Sequence, residues 1–411
     1  MKRIFRLSLW LASAAVIIVG VGAAWNRERL VRLYHVNTLF DEASIVSNFS
    51  GMKDLFFWRG FKRSGPVIAW PVAPRELAKT YNYDGGQKDI AAFLDRTSTT
   101  SLVVISDGKL VHEQYRLGTK AEDRRISWSM AKSFLSAMFG VAVTDGRISS
   151  LSDPVDKYVP RLKGTVYEGV SIRNVLNMAS GVKFDEDYLA FGSDINRMGR
   201  VLALGGLMDD FAAGLKARER EQGTARQYTS IDTHILAMVL RSVTGKDLPE
   251  LLSELLWSKL GVESDGYYLT DGGGVAFALG GINAASRDYA KFGQMMLDLG
   301  RYNGQQVVPL GWAVTSVRAS APKASDPLDP FGYGYQWWVP VNADDEFYAI
   351  GIYGQYIYIN RPARIVIVKT SADRKFRDDG ASGSKIEAET IEMFRAIASG
   401  LTVWKPLAAA R

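Results

Sequence analysis

From Ser129 to Val141 the chain reads Ser-Met-Ala-Lys-Ser-Phe-Leu-Ser-Ala-Met-Phe-Gly-Val, a long apolar run with small residues between the large ones. That is the pattern of a helix enclosed by the core, and a chain that holds one must build its other elements around it. The run also carries chemistry. Ser129 and Lys132 are three positions apart, and residues at that spacing share one helix face. The lysine amine therefore sits beside the serine hydroxyl. A free hydroxyl is a poor nucleophile at neutral pH and needs an adjacent base. The plain structural alternative is that Ser129 only caps a core helix.

Context singles out this copy of Ser-x-x-Lys. The spacing recurs at Ser180/Lys183, Ser320/Lys323 and Ser382/Lys385, among others. Gly181 argues against a continuing helix in the first of these, Pro322 breaks the second, and the third lies in a Gly/Ser stretch. A Ser–Lys pair also needs a group that passes the proton to the leaving group, and a tyrosine beside a lysine serves. Tyr228-Thr229-Ser230 stands at the junction between a loop and a helical pattern, where a side chain can project into a site. Its structural alternative is a helix-entry packing tyrosine with Ser230 as the cap. Tyr358-Ile-Asn360 repeats the pattern inside a strand and reads as a sheet tyrosine. A third segment, Ala349 to Ile357, places Gly351 and Gly354 within a strand pattern. Glycines there mark close approach of another backbone or a ligand. A strand edge of that kind can supply an N–H donor to an oxyanion.

Other chemistries are poorly provided for. The chain has no cysteine, so it has neither a disulfide framework nor a thiol nucleophile. His35, His112 and His234 are the three histidines, and none adjoins a Gly-x-Ser-x-Gly elbow. No His/Asp/Glu cluster has metal-ligand spacing, and no cofactor is expected. Asp209/Asp210 and Asp185-Glu186-Asp187 read as solvated loop charges.

The net charge of +6 is concentrated at the N-terminus, where residues 1–35 hold six lysines and arginines against Glu28 alone. This distribution does not make a nucleic-acid surface. Lys2, Arg3 and Arg6 precede 18 uncharged residues, Leu7 to Ala24. Such a run spans about 27 Å as a helix, enough to cross a bilayer. It reads as a signal-anchor, with a cleaved secretory signal as the alternative. Either places the remainder in the bacterial cell envelope, on the periplasmic side of the inner membrane.

The division expected along the chain is an N-terminal anchor or signal at 1–25 and an extension at 26–86 that packs on the body. An α/β body follows at 87–146 and 275–400, interrupted by a mostly helical insertion at 147–274. Ser101 to Ser106, Asp107-Gly108 and Lys109 to Leu117 form a hairpin signal. Helices are expected at Val170 to Ala179, Gly192 to Leu207, Ile231 to Thr244, Ser286 to Leu299 and Ser384 to Ala398. Late strands are expected at Gly332 to Val339, Phe347 to Gly351, Gln355 to Asn360 and Ile365 to Thr370. Strands at both ends of the body with helices between them define an α/β unit.

In this order, Ser129-Met-Ala-Lys132, Tyr228-Thr-Ser230 and the Gly351–Gln355 strand resemble the three motifs of the β-lactamase-related serine hydrolases. That group includes class C β-lactamases, penicillin-binding carboxypeptidases, family VIII esterases and 6-aminohexanoate-dimer hydrolases. The resemblance covers roughly residues 87–400. It extends to Ser152-Asp-Pro-Val-Asp-Lys-Tyr158, Leu176-Asn-Met-Ala-Ser-Gly181 and Gly280-Gly-Ile-Asn-Ala-Ala-Ser-Arg287. Through Asp185-Glu-Asp-Tyr188 and Gly351-Ile-Tyr-Gly-Gln355 it is nearest to the 6-aminohexanoate-dimer hydrolase branch. It implies a β-lactamase/transpeptidase-like antiparallel sheet flanked by helices. It also implies an acyl-enzyme on Ser129, with Lys132 as base, Tyr228 as proton carrier, and Ser129 and Ile352 N–H groups at the oxyanion. Gly351 and Ser230 complete the substrate site, and Tyr188 bonds a leaving amine. The Lys-Thr-Gly triplet of true β-lactamases is missing from the Gly351 strand, while Lys369-Thr370-Ser371 lies one strand later. Linear amides or esters are therefore better substrates than penicillin-like acids. A non-turnover penicillin-binding-like sensor, a weak β-lactamase or D-alanyl carboxypeptidase, and an interaction protein with an incidental site are the alternatives.

Overall fold

The computed structural model describes residues 24–373 apart from Leu328, then residues 375 and 384–402, together with some positions between 10 and 22. Its centre is a strand whose sequence, Thr-Thr-Ser-Leu-Val-Val-Ile-Ser, contains no polar alternation. This strand, Thr99–Ser106 (β1), is buried at every residue because both sheet faces are covered. Leu102 and Val104 point to one core, Val103 and Ile105 to the other. Asp107 and Gly108 take φ of 47° and 70°, the left-handed pair a two-residue hairpin needs, and return the chain into Lys109–Tyr115 (β2).

Five later strands complete the sheet: Gly332–Tyr333 (β3), Trp338–Val339 (β4), Glu346–Gly351 (β5), Gln355–Asn360 (β6) and Ile365–Ser371 (β7). The order is β3-β4-β5-β6-β7-β1-β2, antiparallel throughout. The single strand expected over Gly332 to Val339 is instead two short strands folded on each other. Gln336, at φ 64°, turns the chain between them.

The helices that position the site are Arg27–Thr38 (α1), Ala131–Thr144 (α2), Asp194–Leu204 (α3), Ser230–Thr244 (α4), Ser286–Leu297 (α5) and Ser384–Leu401 (α6). The expected helix at Val170 to Ala179 shortens to Ile172–Leu176, because Met178 at φ 53° leaves the helical region. Helix α2 is the enclosed helix of the Ser129 run. Phe134 stacks on Phe292 of α5 with ring centroids 3.7 Å apart. Gly140 leaves room for the Trp312 indole, which a methyl group at that position would enter. Helix α6 closes the opposite sheet face through Phe394 and Ile397, against Tyr356 and Ile367.

A second sheet of four short strands, in the order Trp58–Phe61, Gly266–Leu269, Ile282–Ala284, Arg125–Ile126, leads straight into the Ser129 segment. Its first strand comes from the N-terminal extension. The extension also contains α1, which sequence periodicity did not reveal. On α1 the apolar Leu30, Val31 and Tyr34 are exposed beside Arg27, Glu28 and Arg29, while Leu33 and Val36 are partly covered. The proposed anchor, Leu7 to Ala24, lies partly outside the described residues. Among the described residues no helix is long and apolar enough to cross a membrane.

The stacked pair between α2 and α5 is the point where the helical layer meets the sheet. Phe134→Ala is expected to cost about 3–5 kcal/mol of stability, read from urea unfolding, because a rigid, fully buried site cannot collapse to fill the space.

Candidate active site

The small sheet delivers the chain to Ser129, and Ser127 N–H donates to the Ile282 carbonyl at 2.8 Å. Trp128 then takes φ of 43°, a left-handed value that a bulky L-residue rarely adopts. Strain of this kind collects where a side chain must be aimed. It turns Ser129 out of the strand direction and onto the short helical turn Trp128–Met130 that precedes α2. Ser129 makes no capping bond there. Its hydroxyl instead faces Lys132, whose Nζ lies 2.7 Å away.

Lys132 is 1% exposed. Its amine also contacts the Leu279 carbonyl at 3.0 Å and Ser230 Oγ at 3.4 Å. Loss of water around the amine pushes its pKa down to about 7, against an upward pull from the Glu186 carboxylate. A lysine in this state is a free base over much of the neutral range.

Tyr228 approaches from the N-terminus of α4. Its ring lies 5.1 Å from Lys132 Nζ and stacks on Trp338 with centroids 5.5 Å apart. The Ser129 and Ser230 side chains are near enough to its hydroxyl to favour the ionised form. Burial raises the phenol well above its ordinary pKa, with the Ser129 bond opposing, so the hydroxyl keeps its proton. The cap position of α4 belongs to Thr229, not Ser230. Ser230 Oγ is free of capping duty and lies between Lys132 and Glu186, 3.2 Å from Glu186 Oε2.

Glu186 corrects the reading of Asp185-Glu186-Asp187 as solvated charge. Asp185 and Asp187 are exposed, but Glu186 is half-buried. Its carboxylate accepts from the Ser230 backbone N–H, from Ser230 Oγ and, at 3.1 Å, from the Tyr188 hydroxyl. Burial pushes its pKa up, and Lys132 and the hydrogen-bond donors pull it back. The sequence held a signal for this. Phe184, Glu186 and Tyr188 turn inwards while Lys183, Asp185 and Asp187 turn out, an extended-chain alternation in which a glutamate occupies an apolar position. Asp209 is likewise no free charge: it bonds His234 Nε2 at 2.8 Å and Arg241 at 2.7 Å, clamping α4.

Gly351 ends β5 against the serine turn. A methyl group there would strike the Ser127 carbonyl and come within 3.1 Å of Ser129 N. Only glycine permits this approach, and it brings Ile352 to the same cavity as Ser129. The cavity holds about 330 Å³, and its lining includes Ser129, Tyr188, Ser230 and Ile352, with Val36 and Phe40 from the extension. Phe40 stacks on Tyr353, centroids 4.6 Å apart, just beyond Ile352. Lys369 stands elsewhere. It lies on the sheet face that packs against α6, between Phe93 and Tyr356, and its amine donates to Ser371 Oγ at 2.6 Å.

The family model described as Beta-lactamase matches residues 86–390. The 6-aminohexanoate-dimer hydrolase of Paenarthrobacter ureafaciens is 33% identical over 296 residues, covering 69% of this chain and 75% of that protein. A Bacillus anthracis structure described as a putative 6-aminohexanoate-dimer hydrolase superimposes with a TM-score of 0.78 at 27% identity, over 88% of this chain and 96% of that one. The octameric penicillin-binding protein homologue from Pyrococcus abyssi, at 18% identity and a TM-score of 0.56 over 74% of each chain, shares the fold. The chain belongs to the beta-lactamase family and is a serine hydrolase of that family.

A base with this pKa sets the direction of the pH response. Below about 7 the Lys132 amine is protonated and cannot take the Ser129 proton. The rate constant kcat/KM is therefore expected to rise through an acid limb centred near that pH, measured with a neutral ester across pH 5 to 9.

Proposed function

We propose that the protein cleaves a linear amide, of the 6-aminohexanoate-oligomer type, or a carboxylic ester, by way of an acyl-enzyme on Ser129. The observation that carries this reading is the 2.7 Å contact between Ser129 Oγ and a buried lysine. Ser129 attacks the carbonyl carbon as Lys132 removes its proton. The oxyanion is held by the backbone N–H groups of Ser129 and Ile352. Tyr228 gives its proton to the leaving amine or alcohol and takes in exchange the proton that Lys132 holds, and the Tyr188 hydroxyl bonds a leaving amine. Water then releases the acyl group along the same proton path. The relatives named 6-aminohexanoate-dimer hydrolase support the amide class. The Gly351 strand, with Ala349 and Ile350 in place of a lysine and a hydroxyl, argues against a bound carboxylate next to the scissile bond.

The test uses a p-nitrophenyl acyl ester and a panel of 6-aminohexanoate oligomers, with product release and intact mass followed together. Turnover with a transient adduct on Ser129 is the expected result, and Ser129→Ala is expected to lower kcat/KM by several orders of magnitude while remaining folded. A stable adduct without turnover would favour a penicillin-binding-like sensor. Absence of both would overturn the hydrolase.

The run Leu7 to Ala24 is proposed to hold the enzyme at the periplasmic face of the inner membrane. Two exposed aromatic residues, Tyr34 of α1 at 64% and Trp25 just before the helix at 88%, support this placement. The full chain is expected in the membrane fraction after carbonate washing, and a chain lacking residues 1–25 in the soluble fraction. Equal distribution of the two would refute the anchor.

A further inference from the structure

We infer that Glu186 is a positioning residue that favours amide over ester substrates by fixing the direction of the Tyr188 hydroxyl. The inference rests on the hydrolase reading above and concerns which substrate that site prefers.

Three donors converge on one carboxylate. The Ser230 backbone N–H can only donate. The Ser230 and Tyr188 hydroxyls lie 3.2 Å and 3.1 Å from Glu186 Oε2. In its ionised form the carboxylate can only accept, and both hydroxyl protons then point towards it. Each hydroxyl has a single proton, and once that proton is committed the oxygen offers only lone pairs in its other directions. For Ser230 those lone pairs face the Lys132 amine at 3.4 Å. For Tyr188 they face the cavity, whose wall it shares with Ser129, Ser230 and Ile352.

The consequence is selective. An amide carries an N–H beside its carbonyl, and that group can donate to Tyr188 Oη. An ester places an oxygen there, and two oxygen lone-pair sets facing each other repel. Tyr188 can bond an amide in this arrangement because Glu186 holds its proton away. A neutral side chain in place of Glu186 releases the constraint. Glutamine offers an NH2 donor as well as a carbonyl oxygen, so the Tyr188 O–H becomes free to turn towards the cavity and donate. The preference would then shift towards esters.

The experiment compares the p-nitroanilide and the p-nitrophenyl ester of hexanoic acid, on the full chain in detergent, and reads the ratio of the two kcat/KM values. Glu186→Gln is expected to lower the amide-to-ester ratio about tenfold, the factor one hydrogen bond supplies. Tyr188→Phe is expected to lower it by a similar factor, and the double variant by no more than either single one. Glu186→Asp, which keeps an acceptor-only group, is expected to retain most of the ratio. The inference is overturned if amide and ester rates fall equally in Glu186→Gln, or if the two single effects multiply in the double variant. Should Glu186→Gln not fold, an unchanged ratio in Tyr188→Phe overturns it alone. Ser129→Ala separates the two levels of argument. An unchanged ratio with Ser129-dependent turnover refutes the role of Glu186, whereas turnover that survives Ser129→Ala, or wild-type inactivity on both substrates, refutes the hydrolase and the inference with it.

Discussion

The site depends on a lysine amine kept out of water. In solvent the Lys132 ammonium would hold its proton far above neutral pH, and Ser129 would lack the base proposed for it. Enclosure by apolar α2, the Leu279 carbonyl and the Tyr228 ring takes away the hydration that favours the charge. The same enclosure would be ruinous if complete, since a buried cation without compensation destabilises the fold by several kcal/mol. Glu186 tempers it from across Ser230. The amine thus sits between two opposing influences, and its basicity is set by their balance.

Holding that balance requires two sheets to meet. The small sheet ends at Ile126, and a left-handed Trp128 redirects the chain at a cost of about 1–3 kcal/mol. The main sheet answers from the other side with the bare backbone of Gly351. Neither element forms a site alone. Packing of Phe134 against Phe292 fixes α2 relative to the sheet, so the serine turn and the glycine strand stay in register. Rigid burial behind the site is what lets a strained residue persist at its front.

Sequence patterns carried those parts of this arrangement that repeat. The Ser129/Lys132 pair was readable because helical spacing alone puts the two side chains together. The β1–β2 hairpin was readable because Asp-Gly satisfies a left-handed turn. Helix α4 was readable from its apolar period, although its first turn serves the site and not the cap. What escaped lies where pattern and burial part company. Glu186 has the residue type of a surface loop and the position of a core residue, and only its alternation with Phe184 and Tyr188 marks it. Helix α1 gives no clear period because charged and apolar residues share its exposed side, Glu28 and Arg29 standing beside Leu30 and Val31. The break between β3 and β4 was missed because Gln336 is not a residue that announces a turn.

The contribution of the extension has a consequence for how such enzymes diverge. The stretch that identifies the family begins at residue 86, yet Val36, Phe40, Met52 and Phe56 come from upstream of it and form one wall of the cavity. One wall of the cavity therefore comes from a different stretch of chain than Ser129 and the groups around it. A lineage can exchange the upstream wall and reshape its cavity while Ser129, Lys132 and Tyr228 stay untouched. Two members that look alike from residue 86 onwards can then differ in the shape of the cavity, and that difference lies before the matched stretch.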